Sequence, residues 1–220
     1  MINWVIISFD RTNWDRLVSG SIGTLKIAVI TSLLLVAVSA LFAFLKRSEK
    51  VTGFWKVIGQ AAILGYSIPG AVIGIGVVIF MLSIYPNGLF ASILALTVGM
   101  MSRFFAVAQN PVSSSYSKLS LSVDESSELL GRGPWALFSK IHFPVIRPAL
   151  LAAFILVFID VTKELPLTLI LRPFNFETLS SLSFQFAKDE MAAQSALPAL
   201  IIVGISAIPV YLLHRIFDRS

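Results

Sequence analysis

The sequence contains no cysteine, which excludes disulfides, thiolate metal sites and cysteine nucleophiles. Its two histidines, His142 and His214, are too far apart in the chain for the paired spacing of a histidine-based zinc site. Charge is scarce: 13% of the 220 residues are Asp, Glu, Lys or Arg, against about a quarter in a soluble domain. The phosphate-loop pattern G-x-x-x-x-G-K-S/T does not occur, so the chain is not itself a P-loop ATPase. Solenoid repeats and low-complexity tracts are also missing. The opening MINWVIISFDR has neither the basic start nor the cleavage site of a signal peptide. Its apolar run, residues 1–9, is too short to span a bilayer, and it reads as a surface anchor, an initiator segment or the remnant of a longer helix.

What the chain does have is apolar length. Hydrophobic residues make up 56% of it, and its mean hydropathy is +0.86. No charged residue occurs from Ile27 to Leu45, from Val57 to Ser102 or from Met191 to Leu213. About 20 apolar residues in a helix cross a hydrocarbon core of roughly 30 Å. Residues 57–102 are too many for one crossing, and Tyr85-Pro86-Asn87-Gly88 divides them as a turn. The fold class is therefore all-α, a polytopic transmembrane helical bundle of about five spans, near 24–45, 57–82, 88–107, 148–171 and 192–214, within one domain covering 1–220.

An odd number of spans puts the termini on opposite sides. With the C-terminus inside, eleven of the seventeen basic residues are counted to the cytoplasm: Lys46, Arg47, Lys50, Lys56, Arg103, Lys118, Arg132, Lys140, Arg147, Arg215 and Arg219. That bias favours N-out, C-in. The net charge of +5 is thus read as membrane topology, with no nucleic-acid partner implied. Trp4, Trp14 and Tyr85 suit an outer aromatic belt, and Trp55 and Trp135 an inner one.

The polar stretch between the third and fourth spans, 108–147, contains SVDESSELLGRGPWALFSKIHFP at 122–144. Ser122 with Glu125 makes a capping box, and Asp124 and Glu125 suit the positive end of a helix dipole. That helix is expected to run to Leu130 and stop at Gly131 in a left-handed cap. Gly133-Pro134 restarts a helix, which Phe143-Pro144 is expected to end, leaving two short helices at an angle. Residue chemistry alone suits an amphipathic interfacial hairpin with Trp135, Phe138 and Ile141 in the headgroups.

The spacing carries more. Glu125-Ser126-Ser127, three residues, Gly131, nine residues, Ile141, one residue, Phe143-Pro144 resembles the EAA loop of ATP-binding cassette (ABC) importer permeases, which reads E-A-A, three residues, G, nine residues, I, any residue, L, P. Glu125, Gly131, Ile141 and Pro144 match in register; Ser126 and Ser127 replace alanines, and Phe143 replaces leucine. The resemblance implies a type I ABC importer permease (MetI-like) fold. It also implies that this loop is a coupling helix seated in a cleft of a separate ABC ATPase subunit, which uses ATP and Mg. No cofactor is then bound by this chain, and substrate arrives from an extracytoplasmic binding protein.

Asp160, Lys163 and Glu164 are the ionisable residues of the fourth span. Counted from Pro148, Asp160 lies roughly 18 Å and Glu164 roughly 24 Å along an unbroken helix, where charged groups pair or line a cavity. Two readings stand: a structural Asp160–Lys163 pair with an interfacial Glu164, or an acidic stripe beside a translocation path, whose oxygens would suit hard cations. DVTKELPLTLILRPFNFETLS, 160–180, resembles the corresponding segment of ferric-iron-type ABC permeases, K-E-L-P-x-T-x-x-L-R-P-x-x-F-x-T-L. That implies ferric iron as substrate, with thiamine, polyamine or phosphonate solutes as alternatives. Such permeases carry two homologous halves, so this chain, resembling the C-terminal half, is expected to be a fragment, a split subunit or a half that pairs with a second copy. An ion-coupled secondary transporter, with Asp160 and Glu164 binding the ion, is the alternative of a different class. Ser67-Ile68-Pro69-Gly70 with Gly74 and Gly76 predicts a kinked, closely packed second span. Residues 172–194 read as a solvated outer loop, with docking of a binding protein as the other role.

Overall fold

In a computed structural model of the chain, the structure describes residues 2–47, 64–84, 92–131 and 133–217. The Tyr85-Pro86-Asn87-Gly88 turn, Trp55, Lys50, Lys56, Arg132, Arg219 and the first part of the second predicted span lie outside the described residues.

Every regular element among the described residues is helical. The order is α1 (Ile2–Ser8), a 3-10 turn (Phe9–Arg11), α2 (Trp14–Arg47), a 3-10 turn (Gly65–Ser67), α3 (Gly70–Ile84), α4 (Ile93–Ser117) and α5 (Leu121–Leu129). There follow α6 (Pro134–Leu137), a π-helical turn (Phe138–His142), α7 (Phe143–Thr162), α8 (Pro166–Leu171), α9 (Leu179–Lys188) and α10 (Ala192–Phe217). Four helical stretches among the described residues are long and apolar enough to cross a membrane: Trp14–Arg47, Ile93–Ser117, Pro134–Thr162 and Ala192–Tyr211. A shorter apolar helix, α3, represents the second predicted span.

α2 shows why such a sequence packs in lipid. Its buried face carries Gly20, Gly23, Thr24, Ala28, Thr31, Ser32, Ser39, Ala40 and Ala43, with only Leu17, Ile27 and Leu35 as large residues. Val18, Ile22, Leu33, Leu34, Val38 and Leu41 point outward. This inverts a soluble helix. Lipid tails are as apolar as leucine, so burying large side chains brings little, and small residues that let backbones approach are what join helices. On that face α2, α4 and α7 form the core, around Ile27, Leu35, Leu96, Met100, Ile146 and Val157. A smaller cluster joins Leu17 of α2 to Leu179 and Leu182 of α9, with Leu197 and Ile201 of α10 against it.

Four expectations change. In the described part of the second span no kinked helix runs through Ser67-Ile68-Pro69-Gly70: a 3-10 turn is followed by extended Ile68 (ψ 133), and α3 begins at Gly70. Gly74 does pack closely, against Ile170, while the Gly76 position faces open space. The fourth span, expected over 148–171, begins far earlier and stops at Thr162, because Pro166, with no N–H to donate, sits at the first position of a new helix.

Phe143-Pro144 does not end a helix either. α6, the π-turn and α7 form one 29-residue rod, Pro134–Thr162. Pro144 would strike the carbonyl four residues back in a regular α-helix. The wide π-turn precedes it, with Phe143 N–H donating to Phe138 O five residues back, and this opened turn lets the rod pass the proline. Residues 172–194, read as a solvated loop, contain α9. Its Thr178–Ser181 capping box is complete, and Leu179 and Leu182 are buried.

The N-terminal segment is a short helix lying against α10, where Ser8 Oγ donates to Ala193 O at 3.0 Å. Trp4 and Trp14 are about half exposed, and Trp14 meets Phe9 edge-on.

Candidate functional site

α5 begins earlier than the sequence suggests. Ser120, not Ser122, supplies the cap: its Oγ accepts the Ser122 N–H at 3.3 Å, while Ser122 lies inside the helix and its carbonyl accepts from Ser126 Oγ at 2.7 Å. The expected Ser122–Glu125 capping box is therefore not formed, and Glu125 is left exposed on the helix surface. At the other end Gly131 has φ +69, the left-handed conformation that costs an L-residue about 1–2 kcal/mol. Gly133 then caps and Pro134 starts the rod.

Three of the loop positions meet in one place. Ser126, Ser127 and Ile141 line a groove of about 410 Å³ with Ser122, Val123 and Leu130. Gly131 makes the turn between α5 and the rod, and Pro144 lies exposed on the rod. Leu129 (88% exposed), Leu130 (75%) and Trp135 (77%) stand out around this turn, an apolar tip beside Glu125.

A polar bridge that sequence reading missed anchors α5. Asp124 Oδ2 accepts from Arg47 Nε at the end of α2, and Asp124 Oδ1 lies 2.9 Å from His142 Nε2 in the π-turn. An ionised carboxylate only accepts, so His142 donates. Arg47 also donates to the carbonyls of Tyr116 (3.1 Å), Leu119 (3.0 Å) and Ser120 (2.7 Å). These carbonyls lie at and just beyond the end of α4, where a guanidinium also meets the negative end of the helix dipole. Partial burial pushes the Asp124 carboxyl up, but the hydrogen bonds from Arg47 and His142 outweigh it and hold it below its ordinary range. His142 is buried between the rings of Phe44 and Tyr116.

At the other candidate cluster, Lys163 Nζ lies 2.8 Å from Asp160 Oδ1, the pair that the first reading of this span expects. Glu164 does not continue the Asp160 face, since the helix has stopped. Its Oε1 accepts from Arg103 Nη1 of α4 at 3.2 Å and from the Leu167 N–H at 3.3 Å, so it both forms an ion pair and caps α8. Its carbonyl accepts from Ser180 Oγ of α9 at 2.9 Å. Arg103, counted above as cytoplasmic, sits midway along α4. Gly70 is packed so closely on it that a Cβ there would run into the guanidinium. Asp160–Lys163 and Glu164–Arg103 are thus two separate ion pairs rather than one acidic stripe. Among the described residues no group of three or more His, Cys, Asp or Glu is placed to hold a metal ion.

At the opposite end of α2, Arg16 is paired with Glu177 and donates to Gln185 Oε1 at 2.9 Å. The Leu179 N–H donates to Thr24 Oγ1 at 2.8 Å. A signal for this did exist: Thr178 and Ser181 at capping spacing, followed by Leu182 and Phe186 in helical register with Leu179.

Residues 36–220 match the family described as "Binding-protein-dependent transport system inner membrane component". The chain belongs to this family. It is a multi-pass inner-membrane transport component, as the spacing of the loop led one to expect. The Fe(3+)-transport system permease protein FbpB 2 of Haemophilus influenzae is 32% identical over 158 residues, 72% of this chain and 31% of that protein's length. The chain thus spans about a third of that relative. The fold resembles that of a bacterial alginate ABC transporter solved with a periplasmic protein carrying alginate pentasaccharide, with a TM-score of 0.74 and 11% identity over 98% of this chain and 82% of the other. The inward-facing MetNI methionine ABC transporter has a TM-score of 0.69 and 17% identity, over 92% and 95% of the two chains. The expected all-α MetI-like permease fold is the fold observed.

Proposed function

We propose that this chain is a permease subunit of an ABC importer. In this reading it is driven by a separate ATPase subunit that uses ATP and Mg, supplied by an extracytoplasmic binding protein, and paired with a second permease half or copy. The observation that carries the reading is the α5 turn: Glu125, Ser126, Ser127, Gly131, Ile141 and Pro144 keep the EAA register, and the turn presents an apolar tip of Leu129, Leu130 and Trp135. Such a tip on a membrane protein suits a cleft in a soluble partner. Because α6 and α7 are one rod, a push on Trp135 reaches the membrane span without a hinge.

The orientation proposed is N-out, C-in. Lys46, Arg47 and Lys118 lie at or next to helix ends around α5, and Lys140 lies in the π-turn near the start of the rod, which supports that end as the cytoplasmic one. Ferric iron is the proposed substrate, supported by the 32% identity to an iron-transport permease and by the K-E-L-P-type segment from Lys163. Asp160, Lys163 and Glu164 then stand beside the translocation path as paired charges.

Co-expression with an ABC ATPase and a binding protein from the same genome tests this. ATP-dependent uptake of radiolabelled ferric iron into proteoliposomes is expected. Uptake without ATP, driven by an ion gradient, would instead make the chain a secondary transporter, and uptake of thiamine, polyamine or phosphonate in place of iron would correct the substrate.

A further inference from the structure

Asp124 joins three parts of the molecule that are distant in sequence. It stands on α5, the helix that the proposed function seats in the ATPase. Arg47, the last residue of α2, reaches it across 77 positions, and His142, in the π-turn at the base of the rod, across 18. Arg47 is committed on both sides: its Nε is on the carboxylate, and its two terminal nitrogens are on the carbonyl of Tyr116 in the last turn of α4 and on those of Leu119 and Ser120 just after it. The His142 side chain is 2% exposed and that of Arg47 9%, so water competes little for these bonds. The chain link from α5 to α4 is Lys118–Ser120, and that from α5 to the rod is Leu130–Gly133. To α2 the chain gives no short link, and Arg47 supplies one.

We propose that Asp124 is a positioning residue that fastens α5 to the end of α2 through Arg47 and to the base of the rod through His142. A displacement of α5 is then shared by two membrane-crossing helices instead of being carried by the rod alone. This rests on the reading of α5 as the ATPase-facing helix, and it adds α2 as a second path for the motion. The bridge suits that work because its bonds are charge-assisted and the side chains of Arg47 and His142 are nearly buried, whereas α5 is flanked by turn residues at Lys118 and at Leu130 and Gly131.

The natural absence of cysteine makes the test clean. Ser122→Cys and Lys46→Cys, both at exposed positions, take spin labels that report the distance between α5 and the end of α2 by pulsed electron paramagnetic resonance. In the full chain in lipid nanodiscs the distance distribution is expected to be narrow, and in an Asp124→Asn background broad. Asp124→Glu is expected to restore most of the narrowing, which a general folding defect would not allow. With the ATPase bound and trapped by ATP and vanadate, the distance is expected to hold in the unmodified bridge and to shift in Asp124→Asn, with the ATP hydrolysed per solute transported rising roughly threefold to tenfold. Equal widths with and without Asp124, or a nucleotide-driven shift while the bridge is intact, would overturn the proposal. Failure of the unsubstituted chain to bind the ATPase would sink the reading of α5 instead, and the widths measured in the chain alone would still decide whether Asp124 is the fastening.

Discussion

The Arg103–Glu164 pair gives the sharpest quantitative expectation. Glu164→Gln keeps an oxygen to accept the Leu167 N–H and removes the charge that faces Arg103. Breaking a fully buried pair costs about 3–5 kcal/mol, and an exposed pair contributes about 0–1 kcal/mol. Here the Glu164 side chain is 7% exposed and that of Arg103 21%, with one contact of 3.2 Å in place of a bidentate fork. The guanidinium already leaves Nε without a hydrogen-bond partner among the described residues, so it has little to fall back on. About 2 kcal/mol of destabilisation is therefore expected for Glu164→Gln, and a similar loss for Arg103→Gln. Removing both charges leaves no buried ion, so the double variant should cost about 1–2 kcal/mol less than the sum of the singles. The assay is reversible unfolding of the purified chain in mixed micelles with increasing sodium dodecyl sulfate, read by far-UV circular dichroism. Intramembrane hydrogen bonds measured in this way average only about 0.6 kcal/mol, which sets the threshold. Additive singles, with coupling below that value, would refute the assignment of Glu164 to Arg103.

Four further expectations use the same geometry. Gly70→Ala pushes a Cβ into the Arg103 guanidinium and should cost about 1–3 kcal/mol by the same unfolding measurement, as overpacking does. Gly131→Asp meets open space and pays only for its φ of +69, about 1 kcal/mol; the protein should insert and fold normally, yet lose ATP-coupled uptake, and uptake at the unsubstituted rate would remove Gly131 from the coupling surface. Thr178→Ala breaks the capping box of α9 and should lower stability by about 1 kcal/mol, with amide exchange faster over 178–182. For Asp124, whose carboxyl is held below its ordinary range, the stabilisation is complete above the ordinary carboxylate pKa and is lost as pH falls through the lowered one; unfolding midpoints should drop on acidification in the unsubstituted chain and less in Asp124→Asn.

How much of this was legible follows from how far each interaction reaches. The apolar runs, the stop at Gly131 and the restart at Gly133-Pro134 are written within a few residues, and the structure has them. Local grammar failed where two local rules compete. Phe143-Pro144 reads as a helix end because proline strikes the preceding turn, yet a π-turn over Phe138–His142 opens that turn and the helix goes on. Ser122 reads as a cap because Glu125 follows at the right spacing, yet Ser120 occupies that role two residues earlier. Residues 172–194 read as solvated because of Arg172, Glu177 and Lys188; the capping pair Thr178 and Ser181 and the spacing of Leu179, Leu182 and Phe186 were the better guide.

The charges are the deeper case. Lys163 finds Asp160 three residues away, so that pair can be read from the sequence. Arg103 and Glu164 are 61 positions apart and Arg47 and Asp124 are 77, and no periodicity links them. A topology count treats Arg47 and Arg103 alike, as votes for the cytoplasmic side. The structure separates them: Arg47 closes the end of α4 and holds α5, while Arg103 lies within the bundle and neutralises Glu164. Gly70 could have hinted at the second case, since a glycine opening an apolar helix is a weak helix former and needs a reason to be there. The reason is a guanidinium from another helix, which only the packing of α3 on α4 reveals. In a membrane, where apolar contacts distinguish poorly between neighbours, such pairs help select which helix faces set against each other. The residues that fix the register of this bundle are thus the ones that a hydropathy reading takes only as the boundaries of its spans.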